Sequence, residues 1–227
     1  MIHQSTDKKN NFIFLIIAFL FLSTVNIKNK NFIFGNVEAI KVIGLDHHLN
    51  KSIQENLKYL NDKEILSINK EELSKKISSY NYIENFKVSK LYPDNLVLTL
   101  KQTTFLASTL KQNKKYLIGT NAKLIDHDIF ENHNDLPTIY GNFKPEDFIL
   151  LKNKIKNSPL EYNNIINFFF YPSFRWDIEN KNNITIKLPY KNIDEALIQA
   201  KKIIDSNNLK GDTIDLRIKN QIILSNE

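Results

Sequence analysis

The densest group of side chains able to do chemistry is Asp126, His127, Asp128, His133 and Asp135, two imidazoles and three carboxylates in one short segment. Donors of this kind can ligate zinc. A secreted periplasmic enzyme or metal-binding protein built on them would lose activity when His127 or His133 is changed. Their irregular spacing, in a stretch that reads as a loop, fits solvated polar residues better. His47 and His48 follow Gly44 and read as part of a turn. No G-x-S-x-G, P-loop or G-x-G-x-x-G is present, and five glycines leave little from which to build a phosphate cradle. The sequence therefore predicts no catalytic, cofactor-binding or metal site.

What remains is the chemistry of recognition. From Ile214 to Leu224 the chain alternates, with Ile214, Leu216, Ile218, Ile222 and Leu224 on one parity and Asp215, Arg217, Lys219 and Gln221 on the other. Ile223 breaks the rule as an apolar residue on the polar side. A long last strand is either paired on both sides or presents unpaired N–H and C=O groups that template an incoming strand. In the second case Arg217, Ile218, Lys219, Asn220, Gln221, Ile222, Ile223 and Leu224 are the candidate partner-binding residues, with Ile223 as a side-chain contact. Arg175 and Asp177 alternate with the core residues Trp176 and Ile178. They either pair across strands with Asp215 and Arg217 or leave Arg175 to read a partner.

These residues need elements to hold them, and the first is apolar. Phe12, Ile13, Phe14, Leu15, Ile16, Ile17, Ala18, Phe19, Leu20, Phe21, Leu22, Ser23, Thr24 and Val25 form a run with no charge and no polar face. As a helix it spans roughly 21 Å, against about 30 Å of hydrocarbon. A cleaved signal would use Lys8 and Lys9 as its basic region, but the residues from Ser23 to Asn26 offer no A-x-A site. An uncleaved anchor is preferred to the signal and to a buried core helix. The flanking charges do not orient it, because Lys8 and Lys9 face Lys28 and Lys30. Size does: about two hundred residues follow it. The N-terminus is therefore expected in the cytoplasm and the rest outside it.

The remaining composition excludes several classes. With no cysteine there are no disulfides and no Cys-ligated zinc. A net charge of +6 and a pI near 9.2 raise nucleic acid as a partner, but the lysines are scattered and only Arg175 and Arg217 are arginines. No nucleic-acid partner is expected.

Val37 to Ile43 alternates as a strand and stops at Gly44. Helices follow from Asn50 as cap, with Ile53, Leu57 and Leu60 on one face, and from Asn69 with Glu72 completing a capping box. Ile83 to Lys90 and Leu96 to Leu100 flank Tyr92-Pro93-Asp94-Asn95 as a hairpin, with Phe86 and Val88 facing the core of Leu96, Leu98 and Leu100. Further on come strands around Leu117 and Ile125, a helix begun by Pro145, a strand from Ile165 to Tyr171, strands at Phe174 to Ile178 and Ile184 to Leu188, and a helix from Asn192.

The order β-α-α-β-β with the hairpin Phe86 to Leu96, directly after a single N-terminal anchor, resembles the POTRA domain of the FtsQ/DivIB cell-division family. Arg175-Trp176-Asp177-Ile178, Leu188-Pro189, a helix and Ile214-Asp215-Leu216-Arg217 resemble that family's β domain, and Leu136-Pro137 and Gly141 fit it as well. Gln102, Thr103 and Thr104 stand where the family usually has an acidic residue and a proline. The resemblance implies an α+β protein: a short cytoplasmic tail (1–10), a transmembrane helix (11–27), a linker (28–35), a POTRA domain (36–106) and a mixed β domain with an antiparallel sheet and two helices (107–227). It implies a non-enzymatic scaffold of the inner membrane at the division septum. That scaffold has periplasmic domains, binds FtsB and FtsL at the end of the β domain, and helps control septal peptidoglycan synthesis. The POTRA unit would meet other division proteins. A POTRA-containing accessory of outer-membrane assembly would carry repeats or a barrel, and neither is visible.

Overall fold

The computed structural model describes residues 6–24, 35–130, 135–206 and 212–226. Helix α1, Thr6–Thr24, forms over the apolar run. The expected span, residues 11–27, is described only as far as Thr24. Asp7, Lys8 and Lys9 occupy the first turn, so only residues 10–24 of the helix are uncharged, roughly 22 Å of helix against about 30 Å of hydrocarbon. Among the described residues no helix is long and apolar enough to cross a membrane. Val25 and most of the linker that follows lie outside the described residues.

The next unit runs β1 (Ala39–Ile43), α2 (His47–Asn56), α3 (Lys70–Ser78), β2 (Ile83–Leu91) and β3 (Asn95–Gln102). β3 lies in the middle, parallel to β1 and antiparallel to β2. Alternation decides which face is covered. Ile40, Val42, Leu96, Leu98 and Leu100 are buried against Ile53, Leu57, Leu73 and Ile77 from the helices. As expected, Phe86 lies opposite Leu100 and Val88 opposite Leu98. Gly44 has φ +107°, and a Cβ there would strike the carbonyl oxygen of Leu100, so the turn after β1 requires glycine.

Two helix starts differ from the sequence reading in detail. Asn69 caps α3, its side chain accepting from the Glu71 amide at 2.8 Å, but Glu72 turns away to pair with Lys63 at 3.2 Å. Asn50 is not a cap. α2 starts three residues earlier behind Asp46, and the Asn50 amide reaches back to accept from Leu45 N and donate to Leu45 O. A side chain with both a donor and an acceptor can satisfy both backbone groups of one residue from within the helix.

The second sheet has nine strands among the described residues: β4 (Phe105–Lys111), β5 (Lys114–Gly119), β6 (Leu124–Asp126), β7 (Thr138–Tyr140), β8 (Ile165–Tyr171), β9 (Arg175–Asn180), β10 (Thr185–Lys187), β11 (Asp212–Asp215) and β12 (Ile223–Asn226). Their order is β12-β11-β10-β9-β8-β7-β4-β5-β6. The sheet is mixed rather than antiparallel, since β4–β7, β7–β8 and β10–β11 are parallel. Two of these pairs are joined by helices, α4 (Pro145–Lys156) between β7 and β8 and α5 (Ile193–Ser206) between β10 and β11. A helical crossover returns the chain in the same direction, which is why these strands pair in parallel.

Both helices pack on one face. Phe148, Leu151 and Ile155 of α4 and Ala196, Leu197 and Ala200 of α5 are buried against Ile139, Phe168, Ile178, Ile186 and Ile214. Trp176 belongs to this core, with ring centroids 4.8 Å from Phe170 and 5.9 Å from Phe143. The sheet also serves the other unit. Ile118 enters the helix-covered core while its neighbour Leu117, pointing the opposite way, joins Phe105, Ile125 and Phe130 in the core of the three-stranded unit. Hydrogen bonds cross the same seam: Asn81 Nδ2 donates to Leu124 O at 2.9 Å, and Thr103 and Thr120 hydroxyls donate to Glu84 at 2.6 and 2.9 Å.

Candidate partner-binding edge

β12 is one of the two edge strands of the larger sheet among the described residues, β6 being the other, and it is antiparallel to β11 with Ile214 opposite Leu224 and Asp215 opposite Ile223. The single long strand expected from Ile214 to Leu224 is therefore corrected: it is two short strands joined by a turn. The cause sits at Asp215. Its carboxylate accepts from the backbone N–H of Arg217 at 3.0 Å and holds the Arg217 guanidinium by hydrogen bonds of 2.8 and 2.9 Å from Nε. This local bonding competes with the ladder and turns the chain out of the sheet. Gln221 N then donates to Ile218 O at 3.1 Å, with Asn220 at φ +62°, a conformation asparagine tolerates.

Of the candidate residues, only Ile223 and Leu224 lie in a strand. Arg217, Ile218, Lys219, Asn220, Gln221 and Ile222 form the connecting loop. The alternation expected to bury Ile218, Ile222 and Leu224 does not hold, because the bend removes them from the core. Ile218, Ile222, Ile223 and Leu224 are each between 46% and 52% exposed, whereas Ile214 and Leu216 are buried. The loop borders a shallow cleft whose other wall is the start of α5, with Tyr190, Glu195 and Gln199.

Arg175 lies on the uncovered face of the same sheet, and not in a cross-strand pair with Asp215. Its Nε donates to Asp177 Oδ1 at 3.2 Å, and its guanidinium stacks 4.4 Å from the Tyr171 ring. β10 separates the two arginines, so each bonds an aspartate on its own strand or at its end, while Lys187 lies opposite both Asp177 and Asp215. Burial pushes the Asp177 carboxyl up, with Arg175 opposing. The hydrogen bond from Arg217 holds Asp215 below the usual carboxylate range.

The polar cluster weighed for metal is used locally. Asp126 pairs with Lys114 and accepts from the Asp128 amide at 3.2 Å, and the buried His127 Nε2 has no hydrogen-bond partner in the structure. His133 lies outside the described residues. Among the described residues no group of three such side chains is placed to hold a metal.

The chain matches two family models. Residues 35–102 match "POTRA domain, FtsQ-type" and residues 109–217 match "Cell division protein FtsQ/DivIB, C-terminal", so β12 lies beyond the second match. A curated relative, the cell division protein FtsQ of Rickettsia bellii (strain RML369-C), is 28% identical over 171 residues, and the alignment covers 73% of this chain and 64% of the relative's length. A solved structure, the major extracytoplasmic domain of the cell division protein DivIB from Geobacillus stearothermophilus, is similar at 11% identity with a TM-score of 0.34, over 48% of this chain and 99% of that one.

Proposed function

The chain belongs to the FtsQ/DivIB cell-division family, and on that premise we propose that it is a scaffold of the division machinery, without catalytic activity, that captures its partner by strand addition at β12. What supports this reading is one observation: β12 is an edge strand among the described residues, and four half-exposed apolar residues lie in it (Ile223, Leu224) or in the loop that leads to it (Ile218, Ile222). Main-chain hydrogen bonds along such an edge give affinity and the alternate side chains give specificity.

The partners proposed are small single-span division proteins of the FtsB and FtsL type, and through them the machinery of septal wall synthesis. Arg175 is a weaker candidate contact, because binding there would have to displace its stacking on Tyr171 and its bond to Asp177. The chain is proposed to be held at the inner membrane by the uncharged segment from Asn10 to Ile27, with the N-terminus cytoplasmic and the units from 36–106 and 107–227 on the periplasmic side.

Recovery of FtsB-type protein from membranes by the full chain, beside Ile223→Asp, tests the site. Ile223 is outside both cores, so the variant stays folded, and loss of a central anchor of an interface weakens binding by about tenfold or more. Equal recovery by the two chains would remove β12 as the site.

A further inference from the structure

The uncovered face of the three-stranded unit carries three exposed lysines. Opposite the buried row of Leu96, Leu98 and Leu100, the register places Lys41, Val97 and Ser89 in one row, Ile43, Thr99 and Lys87 in the next, and Lys101 beside Asn85 at the end. Lys41, Lys87 and Lys101 are exposed, and none of them is in an ion pair with a described residue. No carboxylate alternates onto this face. Glu84, at the bulge of β2, is bonded by Thr103 and Thr120, and Asp94 sits in the turn against Asn95.

The same face carries apolar groups at its ends. Ile43 is exposed at one end, and Leu91 and the adjacent Tyr92, each 54% exposed, stand at the other. Lysines for lipid phosphates, with an aliphatic and an aromatic side chain for the headgroup region, are the composition of a surface that rests on a bilayer. The position along the chain favours this occupant over a protein. Only residues 25–38 separate α1 from β1, a reach of roughly 50 Å at most. If α1 sits in a membrane, this unit is confined to the layer next to it.

We propose that the open face of the β1-β3-β2 sheet docks on a bilayer surface bearing anionic phospholipid, which fixes the orientation of the larger sheet and its β12 edge above the membrane. The proposal rests on the membrane attachment put forward above, and the test separates the two. The chain has no cysteine, so Thr99→Cys, in the middle of the face, carries a single environment-sensitive dye. The labelled full chain is mixed with vesicles of phosphatidylcholine, or of phosphatidylcholine and phosphatidylglycerol in equal parts, each containing brominated lipid as quencher.

Flotation with the neutral vesicles reads attachment through α1. Quenching of the dye reads the face. Docking predicts quenching on the anionic vesicles, loss of it in high salt, and loss of it in the charge-reversed variant Lys41→Glu/Lys87→Glu/Lys101→Glu, each lysine contributing roughly fivefold to surface affinity. The charge-neutral Lys→Gln triple variant, confirmed folded by circular dichroism, should lose most of the quenching as well. Quenching on anionic vesicles without flotation on neutral ones would sink the attachment and keep the docking. A chain that floats with both while its dye stays unquenched overturns the docking, and would leave the face to an acidic protein partner.

Discussion

Asp215 carries more of the candidate site than its size suggests. By bonding both the amide and the guanidinium of Arg217 it ends β11 and sends the following loop away from the core, which is what exposes Ile218 and Ile222. Because its folded pKa lies below the ordinary value of 3.8, the unfolded chain binds more protons through that range. The stability it contributes is therefore present above about pH 4 and is lost as pH falls through the folded value. Asp215→Asn should lower stability at neutral pH by about 1 kcal/mol, as for a pair whose arginine reaches solvent, and by less at pH 3, read from thermal unfolding at the two pH values. Asp177 has the opposite sign. Its carboxyl is raised by burial, so its ionisation opposes folding as pH rises through its folded pKa. Gly141, at the end of β7, has φ +104° and no room for a Cβ, which would meet the carbonyl of Phe170. Gly141→Ala should destabilise by more than the roughly 0.4–1 kcal/mol that the same change gains where the backbone allows it, read as a shift of the denaturant midpoint.

At the scale of elements, the parts of the chain with one covered face were legible and the parts serving two masters were not. β2, β3 and α4 appear where period and punctuation put them, because each buries one set of residues and shows the other, and β8 appears where a continuous apolar run put it. β4 was not foreseen. Phe105, Leu106, Ala107, Ser108 and Thr109 are all buried, since one face meets the helices and the other the neighbouring unit, and no alternation survives. The end of β11 was missed for another reason: Ile214 to Leu224 alternates as a strand should, and the break comes from side-chain bonding that periodicity does not register. The parallel pairings follow from crossovers, which are properties of connection and not of strand composition. α5 is the element that should tolerate least on its covered face. Leu197, fully buried, is expected to cost about 2–5 kcal/mol as Leu197→Ala, measured by chemical denaturation.

For the whole molecule, the two sheets are not separate beads. Leu117 and Ile118 are neighbours that enter different cores, and Phe130 packs edge-on against both Tyr82 and Phe105 across the seam. The two units should therefore unfold together. Fluorescence of Trp176, the lone tryptophan and a reporter of the larger sheet alone, should give the same midpoint as circular dichroism of the whole chain. Two resolved midpoints would contradict a shared core. Coupling of this kind suits a scaffold, because the β12 edge is then held in a fixed relation to the unit nearest α1.

The most direct test of strand capture is amide hydrogen exchange along residues 223–226, free and with an FtsB-type partner bound. Strand addition predicts that amides exchanging freely in the isolated chain slow by about tenfold or more in the complex, as new main-chain hydrogen bonds form along the open edge. A bound partner that leaves exchange in β12 unchanged, while protecting residues elsewhere, would contradict it.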